Sequence, residues 1–196
     1  MGTATVTTSP LVRHYTLEEF WALPNPPQGG HYELIAGVLY MVPPPSDPHD
    51  VAISRLIMRL AAYLLSHPDL GDLFVPRAAI WVEDGTYLEP DLMYISKVRQ
   101  AAWRSGHRRS ADLAVEVLST STAVYDRQTK ADTYAALGVR ELWLVDLARH
   151  EIEQRILDDG AWRVVATARP GDKLRCHVLP GFEIHVAEVF AGLPRD

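Results

Sequence analysis

The chain is expected to be an α/β protein, with a mixed central β-sheet flanked by helices and additional β-hairpins. Three observations predict this. Asp112–Leu118 and Glu141–Asp146 are nearly continuous apolar runs separated by a helical segment, as in two buried parallel strands joined by a crossover. From Asp47-Pro48-His49 onward, Ile53, Ile57, Leu60 and Leu64 recur at helical spacing, and Leu56 and Leu65 widen the stripe. Short extended stretches meet at Ala36-Gly37 and at Glu83-Asp84-Gly85-Thr86, residues suited to hairpin turns.

The 196 residues, 47% of them hydrophobic, are enough for one ordinary core. Residues 1–10, small, polar and Thr-rich, read as a flexible terminus, and 11–196 as a single domain. Apolar stretches are interrupted by Arg or Pro, so no membrane span is expected. The N-terminus lacks a basic segment followed by an apolar one, and a cytoplasmic location follows as the default. Cys176 is alone, which excludes an internal disulfide and a Cys-rich zinc site. The eight histidines form no short-spaced ligand pair, which argues against histidine-bound zinc. A net charge of −6 favours solubility and disfavours unspecific DNA binding, so a nucleic-acid role needs a local basic surface. The same acidity fits a carboxylate cluster that a divalent cation neutralises.

Along the chain, Thr16 with Glu19 three residues on forms a capping box for a short helix. Pro24–Gly30 is a loop, His31–Val42 a hairpin, and the long helix starts at Asp47. Strands are expected over Ala79–Val82 and Tyr87–Ile95. Lys97–Ser110 breaks the pattern. Asp126–Leu137 is a helix stopped by Gly138. Beyond Asp146, strands alternate with turns at Asp159-Gly160, Pro170-Gly171 and Pro180-Gly181.

Four residues stand out for chemistry. Glu116 lies mid-strand among Ala114, Val115, Val117 and Leu118, and a carboxylate on a buried strand is costly unless paired or metal-bound. The bland alternative is an outward-facing residue or an Arg partner. Asp91 follows Pro90 on a neighbouring strand, and a divalent cation would relieve the repulsion between the two carboxylates. Mg²⁺ prefers oxygen ligands and keeps several waters, one of which can become a nucleophile. Lys130, on the helix after the Glu116 strand, can reach back to offset charge on a phosphate. The alternative for it is a solvated helix face. Arg127 and Tyr134, three and four residues away, would share that face. Glu33 opens the early hairpin.

Pro90-Asp91 followed by Glu116-Val117-Leu118 resembles the PD-(D/E)XK restriction-endonuclease-like superfamily, and more closely its Uma-type branch of bacterial proteins regarded as endonucleases. The similar segments include Tyr32-Glu33-Leu34-Ile35 with Gly37, Glu89–Leu92, Val115–Ser119, Asp126–Lys130, Tyr134, Gly138-Val139 and Glu141–Asp146, and they run from Thr16 to about Pro180. The resemblance implies a restriction-endonuclease-like core, with Asp91 and Glu116 as ligands of Mg²⁺ or Mn²⁺. The superfamily's usual lysine position falls here on Leu118, and the resemblance implies that Lys130 has taken its place. It also implies that Glu33 is the accessory acid, holding a metal-bound water. His49 matches a frequent family position, where a satisfied histidine at the helix start is expected rather than a ligand.

Lys97, Arg99, Arg104, Arg108 and Arg109, with Trp103 among them, make the best DNA-contact segment, cations for phosphates and an indole for a base. A surface loop is the equal alternative. Arg55, Arg59, Arg127 and Tyr134 complete the candidate nucleic-acid-binding set. The leading reading is a metal-dependent DNA endonuclease acting through Glu33, Asp91, Glu116 and Lys130, with a two-fold homodimer expected because such dimers are the commonest closed assembly. The alternative is a non-catalytic dimeric nucleic-acid-binding or regulatory module that keeps the nuclease fold. A hydrolase of small phosphate esters is a third reading. A glycosidase is disfavoured, and the absence of Gly-rich nucleotide signatures disfavours a kinase or dehydrogenase.

Overall fold

The computed structural model describes residues 12–27, 29–103, 107–119 and 122–194. The terminus expected over residues 1–10 lies outside them, as does Arg104. Thr16 caps α1 (Leu17–Trp21): its hydroxyl accepts from the Glu19 N–H at 3.2 Å, and its own N–H reaches Glu19 Oε2 at 2.9 Å. Two N–H groups left open by the helix start are thereby satisfied. β1 (His31–Ile35) and β2 (Val38–Val42) pair about Ala36 and Gly37, whose φ values of 48° and 80° suit a two-residue hairpin. α2 (Asp47–Leu65) takes Pro48 in its first turn, where no N–H is needed, and buries Ala52, Ile53, Leu56, Leu60 and Leu64. Leu65, expected in that stripe, is 83% exposed: one step round from Leu64, it falls outside the face that meets the sheet.

β3 (Gly71–Phe74) and β4 (Ile80–Val82) follow. The strand expected over Tyr87–Ile95 is in fact two, β5 (Thr86–Leu88) and β6 (Leu92–Ser96), in different sheets. Pro90 has no N–H for a central ladder, so the chain crosses between sheets along Glu89-Pro90-Asp91. Asp91 therefore sits on a link, not inside a strand. Within the segment expected only to break the pattern lies a short helix, α3 (Lys97–Ala101), capped by Ser96. β7 (Leu113–Leu118) leads to a π-helical turn, Tyr125–Lys130, that runs into α4 (Ala131–Ala136). Then come β8 (Glu141–Asp146), β9 (Glu151–Asp158), β10 (Ala161–Ala168), β11 (Lys173–Arg175), β12 (Glu183–His185) and α5 (Val186–Phe190).

The central sheet has the order β10-β9-β8-β7-β6-β3, and a smaller one the order β2-β1-β5-β4. β7 and β8 run parallel while the other described pairs of the central sheet are antiparallel, so this sheet is mixed, as expected. Side chains alternate across it. Val115, Val117, Trp143 and Val145 join the core built with α2 and α5. Ala114, Leu118, Leu142 and Leu144 join the opposite core with Ala131 and Tyr134 of the α4 segment. Glu116 falls between Val115 and Val117, and so belongs to that second face. No helix among the described residues is long and apolar enough to cross a membrane.

Asp112 ties the far edge together. Its carboxylate accepts from the Ser96 N–H at 2.8 Å, Arg99 Nε at 3.1 Å and Arg140 Nη1 at 3.3 Å. Burial pushes its pKa up, but the Ser96 and Arg99 contacts prevail and hold it below the usual aspartate value. A depressed pKa means stability present above the unfolded value of about 3.9 and lost as pH falls toward the folded one. Asp112→Asn is expected to cost roughly 1.5–3 kcal/mol at pH 7, the worth of hydrogen bonds to a charged group. It should also weaken the acid dependence of stability below about pH 4. Urea unfolding at pH 7 and pH 3 checks both.

Candidate active site

β6 and β7 pair with Leu92 opposite Val115, so the next step of the ladder sets Asp91 against Glu116 on a shared face. The Val117 N–H donates to Asp91 Oδ2 at 2.7 Å and anchors the link residue to β7. Both acids line a cavity of about 390 Å³, together with His49, Arg77, Asp126 and Lys130. Glu33 lies behind Lys130, fully buried, on β1 of the smaller sheet. The structure thus brings Asp91, Glu116 and Lys130 to one concavity, with Glu33 beneath its wall rather than at its rim.

Lys130 is 3% exposed, which removes the solvated-face alternative. Its Nζ lies 2.8 Å from Glu116 Oε1, 3.3 Å from Glu33 Oε1 and 3.9 Å from Asp126 Oδ1. Burial opposes the ammonium, but Glu116 and Glu33 outweigh it and hold the lysine pKa well above its usual value. Glu33 is pushed up by burial and pulled down harder by Lys130 and the Glu89 N–H at 2.8 Å, settling at about 2. His31 Nε2, 3.8 Å away, adds electrostatic pull. Tyr125 donates to Glu33 Oε2 at 2.9 Å.

Glu116 goes the other way. Burial raises its pKa well above the normal carboxylate range, Lys130 opposes, and Asp91, Asp126 and Glu33 add repulsion. The buried Tyr134 hydroxyl donates to Glu116 Oε1 at 2.5 Å. Asp126 is lifted to about 6 by burial, against the pull of Lys130 and a Thr122 hydrogen bond. Three carboxylates around one buried ammonium, with Asp91 beside them, leave the site short of positive charge.

That shortage bears on whether a divalent cation fits. The described hydrogen bonds fall on Asp91 Oδ2 and Glu116 Oε1, which leaves Asp91 Oδ1 and Glu116 Oε2 as the oxygens on offer. Two carboxylates facing an open cavity suit Mg²⁺, which binds through one or two such groups and keeps waters in its other positions. A closed site with three or more His, Cys, Asp or Glu ligands does not occur among the described residues. The donor set therefore fits a hydrated hard cation.

His49, at the start of α2, lines the cavity and its Nε2 meets Asp91 Oδ2 at 3.0 Å, a partner supplied from another part of the chain. Its Nδ1 has no hydrogen-bond partner among the described residues and lies 3.5 Å from Asp50 Oδ1. Burial lowers its pKa, but the bond to Asp91 prevails and raises it. Sequence reasoning passed over Tyr125, His31 and Arg77, and gave no role to Asp126 and Glu89 within the segments that carry the resemblance. The four-residue spacing of Asp126 and Lys130 was a legible signal; the rest meet only through long-range packing.

Of the polar face expected of Arg127, Lys130 and Tyr134, Lys130 and Tyr134 converge on Glu116 Oε1 and Arg127 does not join them. Tyr134 points to Glu116, whereas Arg127 turns to Asp146 at 2.6 Å and Glu153 at 3.3 Å. Other arginines of the nucleic-acid set are also engaged away from the cavity. Arg55 donates to the Val189 carbonyl and Arg59 pairs with Glu188, both against α5. Arg99 is held by Asp112, Arg108 by the Ala79 carbonyl, and Arg109 by Glu83. Trp103 packs on the second core.

A family model, "Uma2: Putative restriction endonuclease", matches residues 17–187. No curated protein matches the chain. Among solved structures, a "putative nuclease belonging to DUF820" from Anabaena variabilis superposes with a TM-score of 0.73 at 17% identity, over 92% of this chain and 99% of that one. At such identity the likeness is one of fold.

Proposed function

The chain belongs to the Uma2 family of restriction-endonuclease-like proteins, and on that premise we propose that it is a divalent-cation-dependent endonuclease hydrolysing phosphodiester bonds in DNA. The observation that carries this reading is the buried Lys130 ammonium beside two opposed carboxylates at one cavity. Asp91 and Glu116 would hold Mg²⁺ or Mn²⁺, which when bound supplies a polarising charge and an acidified water. Lys130 then faces the developing charge of the phosphoryl group. Glu33, ionised and buried, keeps Lys130 protonated and in position, and Tyr125 fixes Glu33. Tyr134 orients Glu116, and His49 with the Val117 N–H orients Asp91.

The second reading, a dimeric nucleic-acid-binding or regulatory module without turnover, is favoured by a different observation. The described arginine side chains expected to meet DNA are engaged within the protein, which leaves little free basic surface among them for duplex approach. Plasmid cleavage with Mg²⁺ and Mn²⁺ against an EDTA control separates the two. Metal-dependent nicking or linearisation supports the endonuclease, and its absence on duplex DNA, single-stranded DNA and RNA favours the module.

The histidine offers a finer check. His49→Ala is expected to weaken divalent-cation binding by about 10–100-fold, the usual effect of losing a group that orients a ligand. Calorimetric titration of Mn²⁺ into wild type and variant measures it, and equal affinities would remove His49 from the site.

A further inference from the structure

A second depression of about 260 Å³ shares His31, Arg77 and Glu89 with the cavity, so the two adjoin at these residues along one groove-shaped face. Aromatic rings are part of the lining of this second part: Phe20 and Trp21 from α1 and Tyr87 from β5. Trp21 is 56% exposed, and its ring is steadied edge-on by Trp81 at 5.4 Å between centroids. Phe20 packs on Tyr87 at 4.9 Å.

Arg77 stands at the junction. Its side chain is 65% exposed, and only Nη1 is engaged, 3.3 Å from Glu89 Oε2. The rest of its donor fork has no partner among the described residues. The backbone there is left-handed, at φ 75°, a conformation in which arginine is strained and glycine is not. Non-glycine residues held this way cluster at ligand clamps. Of the Lys and Arg residues at this groove, Lys130 is buried among carboxylates, whereas Arg77 is exposed and engaged through one nitrogen of its fork.

We propose that this groove is a subsite for one unpaired nucleotide flanking the scissile phosphate, with Trp21 stacking on the base and Arg77 pairing with the phosphate. The proposal rests on the nuclease reading and deepens it. A base can lie on a protein ring only when it has left its own stack, so the groove selects a single-stranded or splayed segment over an intact duplex. Glu89 does not confront that phosphate bare, since Tyr87 donates to it at 3.1 Å and Arg77 pairs with it. The planar fork of arginine suits bidentate phosphate contact.

The test measures anisotropy of a labelled twelve-residue oligothymidylate, and of a duplex of equal length, in Ca²⁺. Variants are Trp21→Ala, Trp21→Phe, Arg77→Lys and Arg77→Gly. Wild type is expected to prefer the single strand. Trp21→Ala should weaken its binding about tenfold and Trp21→Phe far less, since a phenyl ring still stacks. Arg77→Gly should lose affinity while holding its melting temperature, because glycine relieves the strained backbone. Arg77→Lys should recover only part of the loss. Unchanged affinity in Trp21→Ala and Arg77→Gly, or no binding by wild type, overturns the subsite even where the plasmid is cut. The graded pattern without plasmid cleavage keeps the subsite and overturns the endonuclease reading instead.

Discussion

Lys130→Met should lose phosphodiester cleavage by about 10²–10³, or roughly 3–4 kcal/mol of transition-state stabilisation. An ammonium aimed at charge that develops only during reaction acts on the rate and not on ground-state binding. The burial of this lysine adds a second expected effect. It compensates Glu33 and Glu116 at 3.3 and 2.8 Å, and removing one partner of a buried ion pair costs about 3–5 kcal/mol. The metal-free variant should therefore melt well below wild type, and added Mn²⁺ should restore part of the difference by neutralising Glu116. Lys130→Arg should rescue neither property well, since a planar guanidinium does not fit a pocket shaped around a compact charge. Single-turnover cleavage, with thermal melts in EDTA and in Mn²⁺, reads both. Cleavage at the wild-type rate in a folded Lys130→Met protein would remove the lysine from the mechanism.

Glu116→Gln and Asp91→Asn should each abolish measurable Mg²⁺ and Mn²⁺ binding, because each removes one of only two carboxylate ligands. The amide of Glu116→Gln keeps an oxygen for Lys130 and Tyr134 while shedding a charge that Asp91, Asp126 and Glu33 repel. Its metal-free melting temperature should match or exceed that of wild type by roughly 2–4 °C per kcal/mol gained. Glu116→Ala should do the opposite. It strands the buried Tyr134 hydroxyl and costs about 1–3 kcal/mol. Calorimetric titration together with melting curves separates ligand loss from fold loss, and unaltered Mn²⁺ affinity in both Glu116→Gln and Asp91→Asn would discard the two-carboxylate centre.

Much of this was legible in the sequence, for physical reasons. A carboxylate inside Ala114–Leu118 must be compensated, and that alone marked Glu116. Parallel pairing of β7 with β8 followed from two apolar runs too far apart for a hairpin. Ser96 capping α3 was readable but was passed over in a segment rich in basic residues. The break at Glu89-Pro90-Asp91 was also available in principle, since Pro90 cannot serve a central ladder. What could not be read was partnership over distance. His49 meets Asp91 across 42 positions and Tyr125 meets Glu33 across 92, and no local pattern encodes either. The engagement of Arg55, Arg59, Arg99 and Arg127 depends in the same way on acids and carbonyls that only folding brings near.

The π-helical turn has a consequence for how this site can change over evolutionary time. Tyr125 and Lys130, five positions apart, both reach Glu33, one at each oxygen. In an ordinary α-helix, residues five apart point in directions that differ by roughly 140°, and could not both do so. The wide turn is a register device that carries one residue more than a regular coil would need. A descendant that lost a single residue between them would gain a more regular helix and keep its hydrophobic interior. Four apart in a regular coil, its tyrosine and lysine would differ by only roughly 40°, so both could still face Glu33. Tightening the turn without such a deletion would instead separate the two by roughly 140°, so the site depends on turn width and residue count changing together.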